Sequence, residues 1–123
     1  MTPKKILVVD DSRTFRHLEE ELLKRRYALL QAENGAQAVQ LATREAPDLI
    51  LLDLHMPVMD GAKALALLKS SDKTRDIPVI VITTISEENQ RAQLMAAGAL
   101  RTLSKPINGP DLLGAIREAL GES

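Results

Sequence analysis

Five short apolar runs alternate along the chain with segments of helical period. The runs cover residues 5–9, 28–32, 48–52, 78–82 and 99–103. In the segments between them, apolar residues recur every three or four positions, which is the spacing of an amphipathic helix. Repeated strand–helix units of this kind are typical of a parallel sheet. The pattern therefore predicts an α/β fold with five strands and five helices.

The first predicted helix begins at a cap near Ser12 and turns three apolar side chains inward, Phe15, Leu18 and Leu22. The inward residues of the later helices are Ala38, Leu41 and Ala42, then Ala64, Leu65 and Leu68, and in the last helix Leu112, Ile116, Ala119 and Leu120. Gly114 interrupts the last helix at a cost of about 1 kcal/mol relative to Ala. We expect this glycine to allow close packing against the sheet.

Length and charge narrow the class of protein. A chain of 123 residues suffices for one domain, and such a domain buries roughly two-thirds of the surface that its unfolded form exposes. We therefore expect a single domain over residues 1–123. Sixteen basic and seventeen acidic side chains give a formal charge of -1, which offers no electrostatic basis for direct binding of nucleic acid or of an anionic membrane.

The chain contains no cysteine, so it has no disulfide, no thiolate metal site and no thiol nucleophile. The apolar run that follows the first five residues is too short for the core of a secretory signal or for a membrane span. We expect a cytoplasmic protein without membrane insertion.

Polar residues whose side chains can bind a ligand or take part in a reaction follow four of the apolar runs. Asp10 and Asp11 end the first run, Asp53 ends the third, Thr83 follows the fourth and Lys105 follows the fifth. In an open parallel sheet, ligands bind beyond the carboxyl ends of the strands, where the strand order reverses. We therefore expect these five side chains to share one pocket.

Three carboxylates in one pocket cannot all stay ionised near neutral pH without a compensating charge. Oxygen ligands without a His or Cys cluster favour Mg²⁺ over zinc, and Lys105 adds a compact positive charge. A site of this kind suits phosphoryl transfer. Asp53 is the predicted nucleophile, since a carboxylate can form an aspartyl phosphate, while Asp10 and Asp11 share the metal. Thr83 is placed to donate to a phosphoryl oxygen.

At this point the chain resembles a receiver domain of the two-component response-regulator family, over all 123 residues. The resemblance rests on short segments in a fixed order and spacing, namely residues 8–12, 32–35, 47–50, 52–61, 82–83, 97–99 and 104–106. It implies a doubly wound, flavodoxin-like α/β fold with a five-stranded parallel sheet of order 2-1-3-4-5 and five flanking helices. It also implies phosphorelay signal transduction by a module that catalyses only its own phosphorylation and dephosphorylation.

The resemblance also assigns roles by position. Asp53 matches the phosphoryl acceptor and also contributes to the metal site, Asp11 the direct metal ligand and Asp10 the acid that holds metal-bound water. The main-chain carbonyl of His55 matches a further metal ligand. Thr83 matches the switch hydroxyl and Lys105 the phosphate-binding lysine.

The same resemblance implies the partners. A sensor histidine kinase or a histidine phosphotransfer protein would donate the phosphoryl group, and a downstream protein effector would read the modified state. The sequence leaves open whether phosphorylation also drives formation of a homodimer.

Two positions depart from the family pattern. Receivers usually carry an aromatic residue three positions before the lysine, where this chain has Thr102, and a very small residue after the switch hydroxyl, where it has Thr84. The usual aromatic toggle is thus absent. We expect switching to depend on the segment 83–88 and the fourth helix, and phosphate entry and loss to be slow.

Two other functions compete with the signalling module. A degenerate receiver would serve as a docking surface independent of phosphorylation. The departures at Thr84 and Thr102 keep this alternative open, although all five expected polar positions are filled by matching residues. A Mg²⁺-dependent phosphohydrolase also forms an aspartyl phosphate, but such enzymes usually place two acids two residues apart at the first strand, beneath a cap. This chain has adjacent acids there and no room for a cap.

Overall fold

The computed structural model describes residues 3–54, 59–83, 88–105 and 108–122. Five strands form one parallel sheet: β1 (Lys5–Val9), β2 (Ala28–Ala32), β3 (Leu49–Asp53), β4 (Val79–Thr83) and β5 (Arg101–Ser104). Their order across the sheet is β2-β1-β3-β4-β5. The predicted fold class and strand order are confirmed.

One helix follows each strand: α1 (Arg13–Leu23), α2 (Gly35–Glu45), α3 (Gly61–Ser70), α4 (Glu88–Ala96) and α5 (Gly109–Ala119). Four of them begin at a polar cap whose side chain accepts a hydrogen bond from a backbone N–H three residues later, and these caps are Ser12, Asn34, Asp60 and Asn108. The sequence also predicts Ser86 as the cap of the fourth helix, but this residue lies outside the described part of the chain.

Three strands are shifted from their predicted bounds. β3 and β4 each begin and end one residue later than expected, and β5 begins two residues later. Pro78 has no N–H to donate to the ladder, and Ala97 and Gly98 form a turn before β5 in which Gly98 has a φ of +115°. As a result Asp53 and Thr83 are the last residues of their strands rather than the first residues beyond them.

The strand order reverses between β1 and β3, which are neighbours in the sheet although β2 separates them in sequence. Val9 pairs with Leu52 in this ladder. The next residues, Asp10 and Asp53, therefore leave adjacent strands at the same level. This is the crevice in which doubly wound sheets bind their ligands.

Two aliphatic cores cover the two faces of the sheet. One packs α2, α3 and α4 against alternate strand residues and is centred on Leu7, Ile50, Leu52, Val81 and Leu68. The other packs α1 and α5 against the remaining strand residues and is centred on Ile6, Leu49, Leu51, Ile80 and Leu112. Because helices cover both faces of the sheet, successive residues of β1, β3 and β4 are buried, and the sequences of these strands are continuous apolar runs. Of the helices in the described part of the chain, none combines the length and apolar character needed to cross a bilayer.

The inward face predicted for α1 is wrong. Leu18 and Leu22 are 49% and 38% exposed. The buried residues of this helix are Arg16, Glu19 and Leu23, which share another face at spacings of three and four. Only Leu23 joins the apolar core, because the first turns of α1 lie beside the polar edge of the sheet rather than over its apolar centre.

The polar stretch between α3 and β4 is held by specific bonds. The hydroxyl of Thr74, which is buried, donates to the carbonyl of Leu68 at 2.6 Å. The amine of Lys69 donates to the carbonyls of Arg75 and Ile77 at 3.0 and 2.7 Å. These bonds tie the end of α3 to the start of β4, so this polar stretch is an ordered part of the domain.

The close packing expected at Gly114 is also wrong. This residue lies exposed within α5, and a Cβ added to it would meet no atom within 4 Å. Gly98 is the opposite case, since it has a φ of +115° and an added Cβ would lie 2.7 Å from Cγ of Lys69.

These two environments predict opposite effects of alanine. Gly114→Ala should raise the free energy of unfolding by about 0.5–1 kcal/mol, because alanine loses less conformational entropy in a helix and nothing obstructs its methyl group. Urea unfolding followed by circular dichroism at 222 nm measures the change. Gly98→Ala is the matched control and should lower the same free energy. A destabilised Gly114→Ala variant would contradict this account of α5.

Candidate functional site

Three carboxylates cluster at the carboxyl edge of the sheet. The side chains of Asp10, Asp11 and Asp53 each bring an oxygen within 4.8 Å of the others. Asp10 and Asp53 are buried, with 1% and 4% exposure, whereas Asp11 is exposed. The cluster is therefore closed beneath and open to solvent on the side of Asp11.

The carboxylate of Asp10 is held on two sides. The backbone N–H of Ser12 donates to its Oδ1 at 2.9 Å, and the amine of Lys105 donates to its Oδ2 at 3.2 Å. The guanidinium of the buried Arg16 donates to the carbonyl of Asp10 at 2.6 Å. These bonds fix both the side chain and the backbone at the end of β1, so that Asp10 is oriented before any ligand arrives.

Lys105 brings one positive charge to two of the carboxylates. Its Nζ lies 3.2 Å from Asp10 and 3.4 Å from Asp53, and its side chain is only 10% exposed. The same Nζ lies 4.1 Å from the ring centroid of Phe15. The backbone N–H of Lys105 donates to the carbonyl of Thr83 at 2.9 Å, which fixes the lysine to the end of the neighbouring strand.

The position of Asp53 depends on close backbone packing. A Cβ on Gly61 would collide with the carbonyl oxygen of Asp53 and would come within 2.6 Å of Cα of Leu54. The N–H of Gly61 donates to the carbonyl of Leu54 at 2.8 Å. Only glycine permits this approach. Gly61, the first residue of α3, therefore allows the backbone at the end of β3 to lie directly against the start of the helix.

Thr83 ends β4 and is buried. Asp53 pairs with Ile82 and Thr83 pairs with Ser104, so β3, β4 and β5 end within one residue of the same level in the sheet. The structure thus brings Asp10, Asp11, Asp53, Thr83 and Lys105 to one edge of the sheet. Of the positions singled out from the sequence, His55 and Thr84 lie outside the described residues.

Thr102, the position that departs from the family pattern, is half-buried in β5. It lines a cavity of about 390 Å³ that also borders Arg91 of α4 and Asn108 at the start of α5. The small side chain leaves this space between the two helices open.

Glu19 is an acidic residue of this region that the sequence analysis missed. It lies on the inner face of α1 with 1% exposure. Burial raises the pKa of Glu19 to about 8, the negative charges of Asp10 and Asp53 act in the same direction, and Lys105 opposes them. Glu19 is therefore mostly protonated at neutral pH and adds little charge to the cluster.

The donor set fits a hard divalent cation. Its three side chains are all carboxylates, one of them exposed, and Mg²⁺ prefers oxygen ligands and keeps several waters. The half-buried Lys105 beside the same acids can balance the charge of a phosphoryl group. The arrangement can therefore support a nucleophilic carboxylate acting on phosphorus.

A parallel α/β sheet with acids, a hydroxyl and a lysine at its switch point defines the class of doubly wound proteins that bind their ligand at the carboxyl edge. The family model described as the response regulator receiver domain matches residues 6–117. The chain belongs to this family.

Curated relatives span similar lengths. The chain is 35% identical over 118 residues to the chemotaxis protein CheY of Halobacterium salinarum, covering 95% of this chain and 97% of that protein. It is 37% identical over 121 residues to the sporulation initiation phosphotransferase F of Bacillus subtilis, covering 98% and 96%. The response regulator PleD of Caulobacter vibrioides is longer, and the matched part of this chain covers 25% of its length.

Solved structures share the fold. The receiver domain of sensor histidine kinase PA1611 from Pseudomonas aeruginosa PAO1 has a TM-score of 0.90 and 28% sequence identity. The alignment covers 98% of this chain and 100% of that one, and that structure holds a magnesium ion coordinated in its active site cleft.

The raised pKa of Glu19 predicts a pH dependence of stability. Below its ordinary pKa of 4.5 the carboxyl is protonated in both states, and between 4.5 and about 8 it ionises only in the unfolded chain. The free energy of unfolding should therefore fall as pH rises through this window, by at most about 1.4 kcal/mol per pH unit. Glu19→Gln should remove this contribution.

Urea unfolding of both proteins from pH 4.5 to 8.5, in buffer with EDTA, measures the difference between their free energies of unfolding. This difference should change steadily in favour of Glu19→Gln as pH rises. Glu20→Gln changes the next residue along the helix, which is only half-buried. Its free energy of unfolding should change with pH in parallel with that of the original chain. Parallel curves for Glu19→Gln as well would contradict the account of Glu19.

Proposed function

We propose that the chain is a phosphorelay module in which Asp53 accepts a phosphoryl group from a phosphohistidine, and that the modified state changes its affinity for a downstream protein. The supporting observation is the amine of Lys105, a side chain only 10% exposed, which lies within 3.4 Å of both Asp10 and Asp53. A lysine so placed offsets part of the repulsion between the acids and an incoming dianion.

The proposed reaction is an in-line displacement at phosphorus. An oxygen of the ionised Asp53 carboxylate forms the new P–O bond while the P–N bond to the donor's imidazole breaks, and the electron pair of that bond stays on the imidazole. Most of the catalysis is then positioning and charge compensation. The close packing of Gly61 against the backbone of Asp53 would position the nucleophile, and Lys105 would compensate the charge.

Mg²⁺ is the proposed cofactor, and it would supply positive charge beside the phosphoryl oxygens. Asp11 and Asp53 would bind it directly and Asp10 through water, with the main-chain carbonyl of His55 as a further ligand. The exposure of Asp11 leaves a path for the cation from solvent. The magnesium ion in the related kinase receiver supports this choice.

Lys105 and Thr83 act on the product in this proposal. The amine of Lys105 would turn from Asp10 to a phosphoryl oxygen, and the hydroxyl of Thr83 would donate to another. Because the backbone carbonyl of Thr83 accepts from the N–H of Lys105, a movement of one residue is passed to the other. The change would then reach α4 and the open space beside Thr102, where no aromatic side chain intervenes.

The proposed donors are a sensor histidine kinase or a histidine phosphotransfer protein, and the proposed reader is a protein effector in the cytoplasm. A kinase and a phosphotransferase among the relatives support a place in a phosphorelay. The chain carries its own catalytic groups for phosphorylation and dephosphorylation and needs no substrate other than the donor.

Incubation with Mg²⁺ and a small acyl phosphate tests the acceptor. We expect one phosphoryl adduct on Asp53 by mass spectrometry, no adduct in Asp53→Asn, and an unchanged adduct in Asp48→Asn, which alters an exposed acid at the opposite end of the same strand. Repeated turnover of external phosphate esters would instead favour a phosphohydrolase. A folded protein that forms no adduct would favour a phosphorylation-independent docking module.

Thr83 variants test the switch. Thr83→Ala should still form the adduct at Asp53, but the amide chemical shifts of α4 should no longer respond to a bound phosphoryl mimic. Thr83→Ser keeps the hydroxyl and should restore the response. If the α4 amides of the unaltered chain stay unchanged on addition of the mimic while other surfaces move, the proposed route through α4 is wrong.

A further inference from the structure

The ring of Phe15 contacts the amine of Lys105, which lies beside two acids of the cluster. Nζ of Lys105 lies 4.1 Å from the centroid of this ring, within the range of an attractive cation–π interaction. The ring is half-buried and belongs to the first turns of α1. The hydroxyl of Ser12 accepts from the N–H of Phe15 at 3.3 Å, so the helix cap determines where the ring stands.

Phe15 differs in kind from the other neighbours of this amine. Asp10 and Asp53 attract the ammonium as ion-pair partners. The electrostatic environment of both acids would change on phosphorylation of Asp53. A phenyl face attracts the cation through its quadrupole without neutralising it. The ring also covers one side of a side chain that is only 10% exposed, where water would otherwise weaken the field of the charge.

We propose that Phe15 is a positioning residue that holds the ammonium of Lys105 over the acceptor through the face of its ring. The ring keeps the amine close to Asp53 while Lys105 exchanges a carboxylate for a phosphoryl oxygen. This inference rests on the proposed function, because it concerns the rate at which Asp53 is phosphorylated. It assigns to Phe15 a role in electrostatics, whereas the sequence pattern assigned it to the core.

The composition of the chain allows a direct test. Phe15 is the only phenylalanine, so growth of a phenylalanine auxotroph on fluorinated phenylalanines changes the ring at this position alone. Successive fluorination weakens the quadrupole with little change in ring size. The rate of Asp53 phosphorylation by a small acyl phosphate should fall stepwise across the mono-, tri- and pentafluoro proteins, by about three- to tenfold in total. Equal rates across the series would overturn the proposal.

Phe15→Leu separates electrostatics from packing. It keeps an apolar side chain against the lysine and removes the ring, so its rate should resemble that of the pentafluoro protein. Urea unfolding of each protein shows whether the fold is preserved. A rate that follows the free energy of unfolding rather than the degree of fluorination would assign Phe15 a packing role and overturn the proposal.

A second measurement does not depend on phosphorylation. In the 4-fluorophenylalanine protein, the single ¹⁹F resonance reports on the ring at position 15. Lys105→Met should shift this resonance, and Lys73→Met, which removes an exposed lysine, should leave it unchanged. An unshifted resonance in folded Lys105→Met would overturn the contact itself. A shifted resonance in a protein that accepts no phosphoryl group would show that the proposed function has failed while the contact stands.

Discussion

The mutual repulsion of carboxylates at one edge of the sheet is the constraint on which the site depends. Asp10 and Asp53 are buried side by side at the ends of adjacent strands, and Asp11 stands beside them. The amine of Lys105 is within ion-pair distance of both buried acids. Because an uncompensated buried charge is strongly destabilising, this arrangement holds Lys105 beside the two buried acids and favours a further cation at the cluster.

The convergence of these groups could be predicted because it follows from strand geometry alone. A continuous apolar run such as Leu49–Asp53 identifies a strand buried on both faces. In a parallel sheet the residues at the ends of such strands must meet at one edge, whatever the helices do. The offsets of one or two residues in β3, β4 and β5 left this result intact, since they moved the end of each strand one residue toward the site.

The surroundings of the site could not be predicted in the same way. Phe15, Leu18 and Leu22 form the most apolar stripe of α1, yet the face that turns inward carries Arg16 and Glu19. Apolar periodicity locates a helix face only where the surface beneath it is apolar. Over a carboxylate edge, the inner face must instead supply a donor for the Asp10 carbonyl and a carboxyl that remains protonated, and a single sequence contains no direct signal for that.

The residues around the site fall into two layers that the fold fixes to different degrees. Acids, hydroxyl and lysine lie at strand ends, where the fold fixes their positions with little freedom. Phe15, Glu19 and Thr102 lie in the second layer, on α1 and β5, where a change of side chain alters the field at Lys105 or the space beside α4 without disturbing the sheet. A substitution in this second layer should therefore alter the surroundings of Lys105 or of α4 while the sheet and its strand ends stay in place.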